Sequence, residues 1–322
     1  MDAVLAFTTD PSFFVDELTA GLTLGAVYAL LALGYTMIYG ILKLLNFAHG
    51  DVYMVGAYGG YFVLTGLGGP LSPSVPIVPL ILLMFLVAML GCGLLGVVIE
   101  RFAYRPLRNA PRIAPLITAL GISFFLESSA QLLFGAQIRS YDTFDLHNSV
   151  LFVKGIHTTI HGVRIDLSLV RIIVILSAVF LMLALTLLVG RTALGKAMRA
   201  TSYDREAAAM MGIDVDRVIV ATFFIASALA GAAGVMVGLV FQQVSNFMGF
   251  QAGLKAFTAA VVGGIGNIPG AMLGGFLVGL AEAFAQGYWS STFKDAIVFG
   301  LLIAFMLLRP TGLLGTPAIQ KV

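Results

Sequence analysis

The sequence predicts an all-α membrane protein, a polytopic helical bundle that crosses the bilayer many times. Hydrophobic residues make up 59% of its 322 residues, charged residues make up only 11%, and the mean hydropathy is +1.00. Soluble proteins carry roughly 25% charged residues, so this composition excludes a soluble globular domain. Because a helix needs roughly 20 apolar residues to span a hydrocarbon core about 30 Å thick, the chain has room for about eight or nine spans with short loops.

Eight apolar runs are long enough to be membrane-spanning helices, in which every backbone amide and carbonyl is satisfied within the segment. They cover residues 18–42, 46–66, 77–99, 113–134, 168–190, 218–242, 269–287 and 293–308. A shorter run at 250–265 contains Lys255 and ends in a glycine-rich segment. This run either crosses the membrane or enters and returns on the same side. Together the runs predict a single transmembrane domain over residues 1–322.

Positive charges are concentrated in two hydrophilic connections, at residues 100–112 and 191–217. Because cytoplasmic loops of membrane proteins are enriched in Lys and Arg, we expect both connections in the cytoplasm. The number of runs between them then places the N-terminus and the 135–167 connection outside. The C-terminus is cytoplasmic if the 250–265 run crosses. Since no Lys or Arg precedes the first run, a cleaved signal peptide is not expected.

Charge and cysteine content exclude several classes of partner and site. Eighteen Lys and Arg against 16 Asp and Glu give a net charge of only +2, so no nucleic-acid partner is expected. The single cysteine, Cys92, excludes an intrachain disulfide and a cysteine-based metal cluster. With four histidines and no H-E-x-x-H pattern, we expect no metal site, and we interpret His157 and His161 as an incidental pair.

The segment GRTALGKA at residues 190–197 comes close to a phosphate-binding P-loop. That interpretation fails because Ala197 has no hydroxyl for Mg²⁺ and the preceding segment is a membrane span rather than a buried strand. We therefore expect no ATP hydrolysis, no catalytic residues and no cofactor in this chain.

The segment TSYDREAAAMMGIDVD predicts one short helix in the 191–217 connection. Thr201 and Asp204 have the spacing of a capping box, and Gly212 is a typical helix stop. The exposed face is expected to mix charges with four apolar residues, Ala207, Ala208, Met210 and Met211. Such a helix either lies along the membrane interface or serves as a docking knob for a soluble partner.

Here the sequence resembles a known family. EAAAMMG, at residues 206–212, is similar to the EAA-x-x-x-G signature of ABC-importer permeases. Residues 32–58, which contain NFAHG, resemble the hallmark of the branched-chain amino-acid permeases of ABC transporters, and residues 99–108 and 249–275 are similar to further segments of that family. The order of these segments matches the LivH-type subunit throughout.

The resemblance implies a type II-like importer permease in a bacterial inner membrane, surrounded by lipid. It implies a homologous second permease, two ATPase subunits that hold ATP and Mg²⁺, and a periplasmic binding protein that delivers leucine, isoleucine or valine. The residues implied to contact the ATPase are Glu206, Ala207, Ala208 and Gly212. Related permeases carry urea, short-chain amides or other amino acids, and a passive channel for a small neutral solute is the alternative from another class.

Two groups of residues are candidates for the translocation pathway. The first is Asn46, Phe47, His49 and Gly50, followed by Asp51; these residues either cap a helix at the interface or line the pathway. The second is the glycine-rich break with Gly263, Gly264, Gly266 and Pro269. Regular helix is impossible there, so the break either borders the pathway or forms an ordinary tight turn.

Three further patterns concern packing. Glu127 and Glu282 lie in or near apolar runs without an obvious partner, and we interpret both as structural. Asn46-Phe47 and Asn246-Phe247 each follow an apolar run, as an inverted repeat would require. Glycines four residues apart predict close helix packing, at Gly21/Gly25, Gly56/Gly60, Gly234/Gly238, Gly270/Gly274 and Gly275/Gly279.

Overall fold

The computed structural model describes residues 11–67, 77–108, 110–111, 113–141, 156–160 and 163–315, most of which are helical. The α-helices are α1 Pro11–Leu42, α2 His49–Leu67, α3 Ile77–Ile99, α4 Ile113–Phe134, α5 Leu169–Arg191, α6 Ala193–Tyr203, α7 Arg205–Met210, α8 Val215–Phe241, α9 Met248–Gly263, α10 Ile268–Phe284 and α11 Lys294–Leu308. Short π-helical turns, Glu100–Tyr104 and Ala285–Trp289, follow α3 and α10.

Every apolar run of the sequence is a helix in the structure, with bounds that agree within a few residues except at the start of α1. In the described part of the chain, six helices are long and apolar enough to cross a membrane: α1, α3, α4, α5, α8 and α10. The helices of the runs 46–66, 250–265 and 293–308 are shorter, at 19, 16 and 15 residues. The total of eight or nine spans therefore stays a prediction.

The 135–167 connection contains short strands that the all-α prediction missed. β1 Arg139–Ser140 pairs antiparallel with β4 Gln243–Val244, and β2 Ile156–Ile160 pairs antiparallel with β3 Val163–Leu167. Strand pairing satisfies backbone groups in the described part of this connection, which hydropathy analysis shows only as a gap between helices. His161 lies outside the described residues, so the His157 and His161 interpretation is not tested.

The two arginine-rich connections lie at the same end of the bundle, as the charge pattern predicts. Arg105 and Arg108 both bind Asp216, and Arg205 donates to the carbonyl of Ile41 at 2.7 Å. We call this end, formed by residues 41–44, 104–108 and 199–217, the arginine end. α8 leads away from it, and the 16-residue α9 leads back toward it. A crossing of the whole bilayer by the 250–265 run stays a prediction.

Two long helices form the centre of the bundle. In the most apolar 18-residue window of α1, 83% of residues are buried, and the value for α8 is 78%, against 22% for α4 and α5. α1 packs mainly on α10 and then on α8, whereas α8 packs mainly on α3 and α2. α1 runs toward the arginine end and α8 away from it, so α1–α3 and α8–α10 run in opposite senses, as an inverted repeat would require.

Small residues allow the closest of these contacts, as the glycine spacing predicts. A Cβ atom on Gly279 of α10 would lie 2.2 Å from the backbone nitrogen of Gly25 in α1. The two backbones therefore touch with no room for a side chain. Within a bilayer, where water does not drive helices together, such close packing is a main source of association.

Candidate functional site

The first functional feature is a junction inside the bundle. α2 begins there, well away from the arginine end at which α1 ends. Lys43 ends α1 with a left-handed backbone (φ 56°), and residues 43–48 turn back into the bundle. His49, the first residue of α2, packs on Gly34, which lies eight residues before Leu42, or about 12 Å along the helix.

The second half of the bundle repeats this arrangement. Gln242 ends α8 with the same left-handed backbone (φ 55°), and α9 begins at Met248 after Asn246-Phe247. Asn46 accepts a hydrogen bond from the Tyr104 hydroxyl at 3.0 Å, and Asn246 accepts one from the Tyr58 hydroxyl. The shared dipeptide thus occupies equivalent places in the two halves, which supports the inverted repeat proposed from the sequence.

The first turns of α2 and α9 meet in backbone contact. A Cβ atom on Gly50 would lie 2.4 Å from the carbonyl oxygen of Gly249 and 2.8 Å from the Cα atom of Gly253. Asp51 lies in the first turn of α2, and its Oδ1 atom would lie 2.5 Å from a Cβ atom on Gly249. The partial positive charge of two helix N-termini therefore surrounds this carboxylate.

Several buried polar atoms near this junction have no hydrogen-bond partner among the described residues. They are the Asp51 Oδ1 atom and both ring nitrogens of His49, in residues that are 0% exposed, with the Leu31 backbone as an interacting group of the His49 ring. The other Asp51 oxygen accepts a hydrogen bond from Ser123. Since buried polar groups are nearly always paired, this unpaired set marks a place that a polar ligand or water can use.

The structure brings the first group of pathway candidates together inside the bundle. Asn46, His49 and Gly50 are buried, and the Phe47 ring lies 6.2 Å from the Phe257 ring. His49 reaches Gly34 of α1, so the group lies within the helix bundle, while the choice between a capping role and a pathway role stays a prediction. The Asn46 side chain accepts from Tyr104, while its backbone carbonyl accepts from the His49 amide.

The glycine-rich break lies elsewhere, at the arginine end. Gly264 and Gly266 have φ values of 105° and 96°, which explains why glycine stands at both positions. The Asn267 side chain caps α10, Pro269 lies in its first turn, and the backbone of residues 262–263 accepts hydrogen bonds from Leu313 and Leu314. Gly263 to Pro269 therefore contain a tight turn, and the prediction that this turn borders the translocation pathway stays a prediction.

The second functional feature is the 191–217 connection, which contains two helices instead of the single one predicted. α6 ends at Tyr203, and Asp204 caps α7 by accepting hydrogen bonds from the amides of Glu206 and Ala207 at 3.0 and 3.1 Å. The predicted capping box is wrong in its first member, because Thr201 lies within α6 and is buried. An aspartate cap interrupts the helix there because its side chain takes over the first free amides.

α7 ends at Met210, and Gly212 stops it as predicted, with its backbone in the left-handed region (φ 84°). The amides of Gly212 and Ile213 bind the carbonyls of Ala209 and Ala208, the hydrogen-bond pattern of a Schellman motif. Glu206, Ala207 and Gly212 are exposed. Ala208 is 3% exposed, so the prediction that it belongs to the outer face is wrong.

Three large apolar side chains project from this connection. Tyr203, Met210 and Met211 are 83%, 81% and 83% exposed. Capping residues fix the ends of α6 and α7. The three side chains therefore project from a well-defined backbone and form a compact exposed knob at the arginine end. We call Tyr203 and residues 206–212 the knob.

The structure supplies a partner that the sequence did not reveal for Glu282. Its carboxylate accepts hydrogen bonds from Lys255 at 2.6 Å and from the Tyr28 hydroxyl at 2.8 Å. A lysine within an apolar run was the sequence signal that could have identified Lys255 as the partner of Glu282. Glu127 is buried and lies near Asp51.

Comparison with known proteins identifies the family. The model of the branched-chain amino acid transport system / permease component family matches residues 18–306. The chain is 43% identical to the high-affinity branched-chain amino acid transport system permease protein BraD of Pseudomonas aeruginosa over 309 residues, which cover 96% of this chain and 98% of the relative. It is 41% identical to the corresponding LivH protein of Escherichia coli over 312 residues, with the same coverage. A probable LivH protein of Methanocaldococcus jannaschii is 29% identical over 303 residues, 89% of this chain and 88% of the relative.

Proposed function

Because the chain belongs to the branched-chain amino acid permease family, we propose that it is a permease subunit of an ABC importer that carries leucine, isoleucine and valine across a bacterial inner membrane. The observation that carries this proposal is similarity over nearly the whole length to permeases named for that transport. The multi-pass helical bundle and its many apolar helices agree with it.

The importer has further subunits in this proposal. Two ATPase subunits bind and hydrolyse ATP with Mg²⁺, a second homologous permease completes the membrane part, and a periplasmic protein delivers the amino acid. This chain is not an enzyme and holds no cofactor. Its architecture is type II-like, with one transmembrane domain. α2 and α11 bring the six long helices to eight membrane segments, and α9 makes nine if it crosses.

The knob is the proposed contact with an ATPase subunit, through Glu206, Ala207, Ala208 and Gly212. The buried Ala208 would act by holding α7 to the bundle, and the exposed Met210 and Met211 would fill an apolar cleft on the partner. Capped helix ends support this role, because a rigid element transmits force better than a loose loop.

A cavity of about 80 Å³ suggests how movement of the knob reaches the pathway. It is lined by Met198 and Arg199 of α6, by Thr36 of α1 and by Gly266 of the glycine-rich break. α6 therefore lies against both the central helix and the break. A shift of α6 would displace α1 relative to α9, and the pathway candidates Asn46, Phe47, His49 and Gly50 would open alternately to the two sides.

Transport in proteoliposomes tests the proposal. The chain is reconstituted with its ATPase subunits, second permease and binding protein, and ATP-dependent uptake of labelled leucine is measured with labelled urea for comparison. We expect leucine uptake only with ATP and all subunits. Flux of a small solute through the chain alone, without ATP, would instead support a passive channel.

Variants of the knob test the coupling step in the same assay. Glu206→Arg and Gly212→Val should abolish uptake and ATPase binding while membrane insertion is retained, because one reverses a charge and the other strains a left-handed residue. Gly190→Val is the control, since nothing lies within 4 Å of its side-chain position. Normal uptake by both knob variants would refute the coupling role.

A further inference from the structure

A pocket at the arginine end has a charge pattern that the transport function does not use. Its volume is about 350 Å³, and it lies between the end of α1, the segment that follows α3, and the end of α6. Lys43, Arg108 and Arg205 line it, and no Asp or Glu is among the described lining residues. Three cations therefore share one concave surface.

The carboxylates near this pocket neutralise only part of its charge. Arg108 binds Glu100 and Asp216, which are not among the lining residues, whereas Arg205 binds only the Ile41 carbonyl among the described residues. Burial and the positive charge of Arg108 lower the pKa of the Arg205 guanidinium below its ordinary value. An anion between the two guanidinium groups would relieve this repulsion.

Two polar groups support the presence of a ligand. Thr201 is one of the lining residues and is 1% exposed, and its hydroxyl has no hydrogen-bond partner among the described residues. The Nε atom of Arg108 is buried and also lacks a partner there. A hydroxyl and a guanidinium N–H are donors that bind oxyanions well.

The rest of the lining suits a lipid better than a small ion in water. Leu42, Leu44 and Leu107 contribute apolar surface beside the cations, and Pro115 belongs to the first turn of α4. Ile113 and Ile117 of the same helix are 66% and 63% exposed, as expected for side chains that face acyl chains. Basic pockets between membrane helices on the cytoplasmic side typically bind anionic lipid headgroups.

We propose that this pocket binds the phosphate group of an anionic phospholipid and thereby attaches α7 to the rest of the bundle. Lys43, Arg205 and Thr201 contact the phosphate, and acyl chains lie along α4. The inference rests on the chain spanning a membrane with the arginine end at the inner leaflet, but not on the identity of the transported substrate. Lipid occupancy would tune coupling, because Arg205 is the first residue of α7.

Native mass spectrometry of the purified full-length chain measures this binding independently of transport. Detergent-solubilised protein is titrated with phosphatidylglycerol, with phosphatidylcholine and with inorganic phosphate. We expect phosphatidylglycerol to bind preferentially. Loss of a charge-assisted contact in Arg205→Gln should weaken that binding by about five- to tenfold, and loss of the hydroxyl in Thr201→Val by about threefold.

Arg191→Gln is the control, because it removes an exposed cation that does not line the pocket. Equal binding of the two lipids, or unchanged phosphatidylglycerol affinity in both pocket variants, overturns the proposal. Binding of inorganic phosphate with equal affinity assigns the same oxyanion site to free phosphate and overturns the lipid assignment. An Arg205→Gln variant that keeps its lipid affinity but loses ATPase subunits would make the pocket a protein contact instead.

Discussion

Lys255 on α9 and Glu282 on α10 form an ion pair inside the bundle, with their Nζ and Oε1 atoms 2.6 Å apart and their side chains 9% and 4% exposed. Tyr28 of α1 donates to the second carboxylate oxygen, and Asp295 of α11 lies 2.7 Å from the same lysine. Four helices therefore share one polar cluster. Its position explains how an apolar run tolerates a lysine and another tolerates a glutamate.

Lys255→Met should destabilise the protein by about 3–5 kcal/mol, because it leaves Glu282 as a buried charge without its main partner. The double variant Lys255→Met with Glu282→Gln should recover most of that loss, since the amide oxygen still accepts from Tyr28. Unfolding of the detergent-solubilised proteins by heat or denaturant ranks the stabilities of the unchanged protein, the single variant and the double variant. Lys196→Met, at an exposed position, is the control; equal losses in the single and double variants would contradict a role for the ion pair.

Gly50→Ala should disrupt the junction between α2 and α9. Its Cβ atom would lie 2.4 Å from a backbone oxygen, so the helices must separate, at a cost of about 1–3 kcal/mol. Leucine uptake should fall together with the stability of the protein. Gly66→Ala lies in the same helix with nothing within 4 Å and should be neutral or slightly stabilising. Thermal unfolding and leucine uptake are measured for both variants. Identical behaviour of the two would count against the close contact.

Asp204→Ala should loosen α7 without unfolding the bundle. It removes the cap that binds the amides of Glu206 and Ala207, worth about 1 kcal/mol, so their hydrogen exchange should accelerate about fivefold. Asp204→Asn should restore protection. Asp214→Ala removes the corresponding cap of α8 and serves as the control. If exchange of residues 205–210 is unchanged in Asp204→Ala, the cap does not stabilise this helix.

Tyr104→Phe and Tyr58→Phe test the equivalence of the two halves. Each leaves a buried asparagine oxygen without its tyrosine donor, so each should cost about 1–3 kcal/mol of stability. Tyr39→Phe is the matched control, because no hydrogen bond from that hydroxyl joins the described residues. Similar losses in the two variants are expected; a loss at only one of the two asparagines would contradict their equivalence.

Hydropathy was sufficient to locate the helices but not their depth. The 46–66 run predicted α2, yet a window of apolar residues cannot distinguish a helix that starts at the surface from one that starts beside Gly34. The left-handed residue at Lys43 causes the difference, and a lysine there carries no sequence signal for that conformation. The same holds for Gln242 in the second half.

Local chemistry was partly readable in the 191–217 connection. Gly212 as a helix stop followed from the need for a residue that tolerates positive φ. The division into α6 and α7 did not, because Thr201 and Asp204 are both good caps and only packing decided that Thr201 would be buried. The prediction that Ala208 is exposed was wrong for the same reason.

The sequence by itself determined that the chain is a helical membrane protein, where its apolar helices lie, which connections share a side, and which family it resembles. These properties depend on composition and local pattern, because the bilayer requires long apolar helices and cations avoid crossing it. Only the tertiary structure decided that α2 and α9 begin inside the bundle, that Lys255 meets Glu282, and that three cations line one pocket. Those relationships join residues that are far apart in the chain, and the packing of helix against helix is what brings them together.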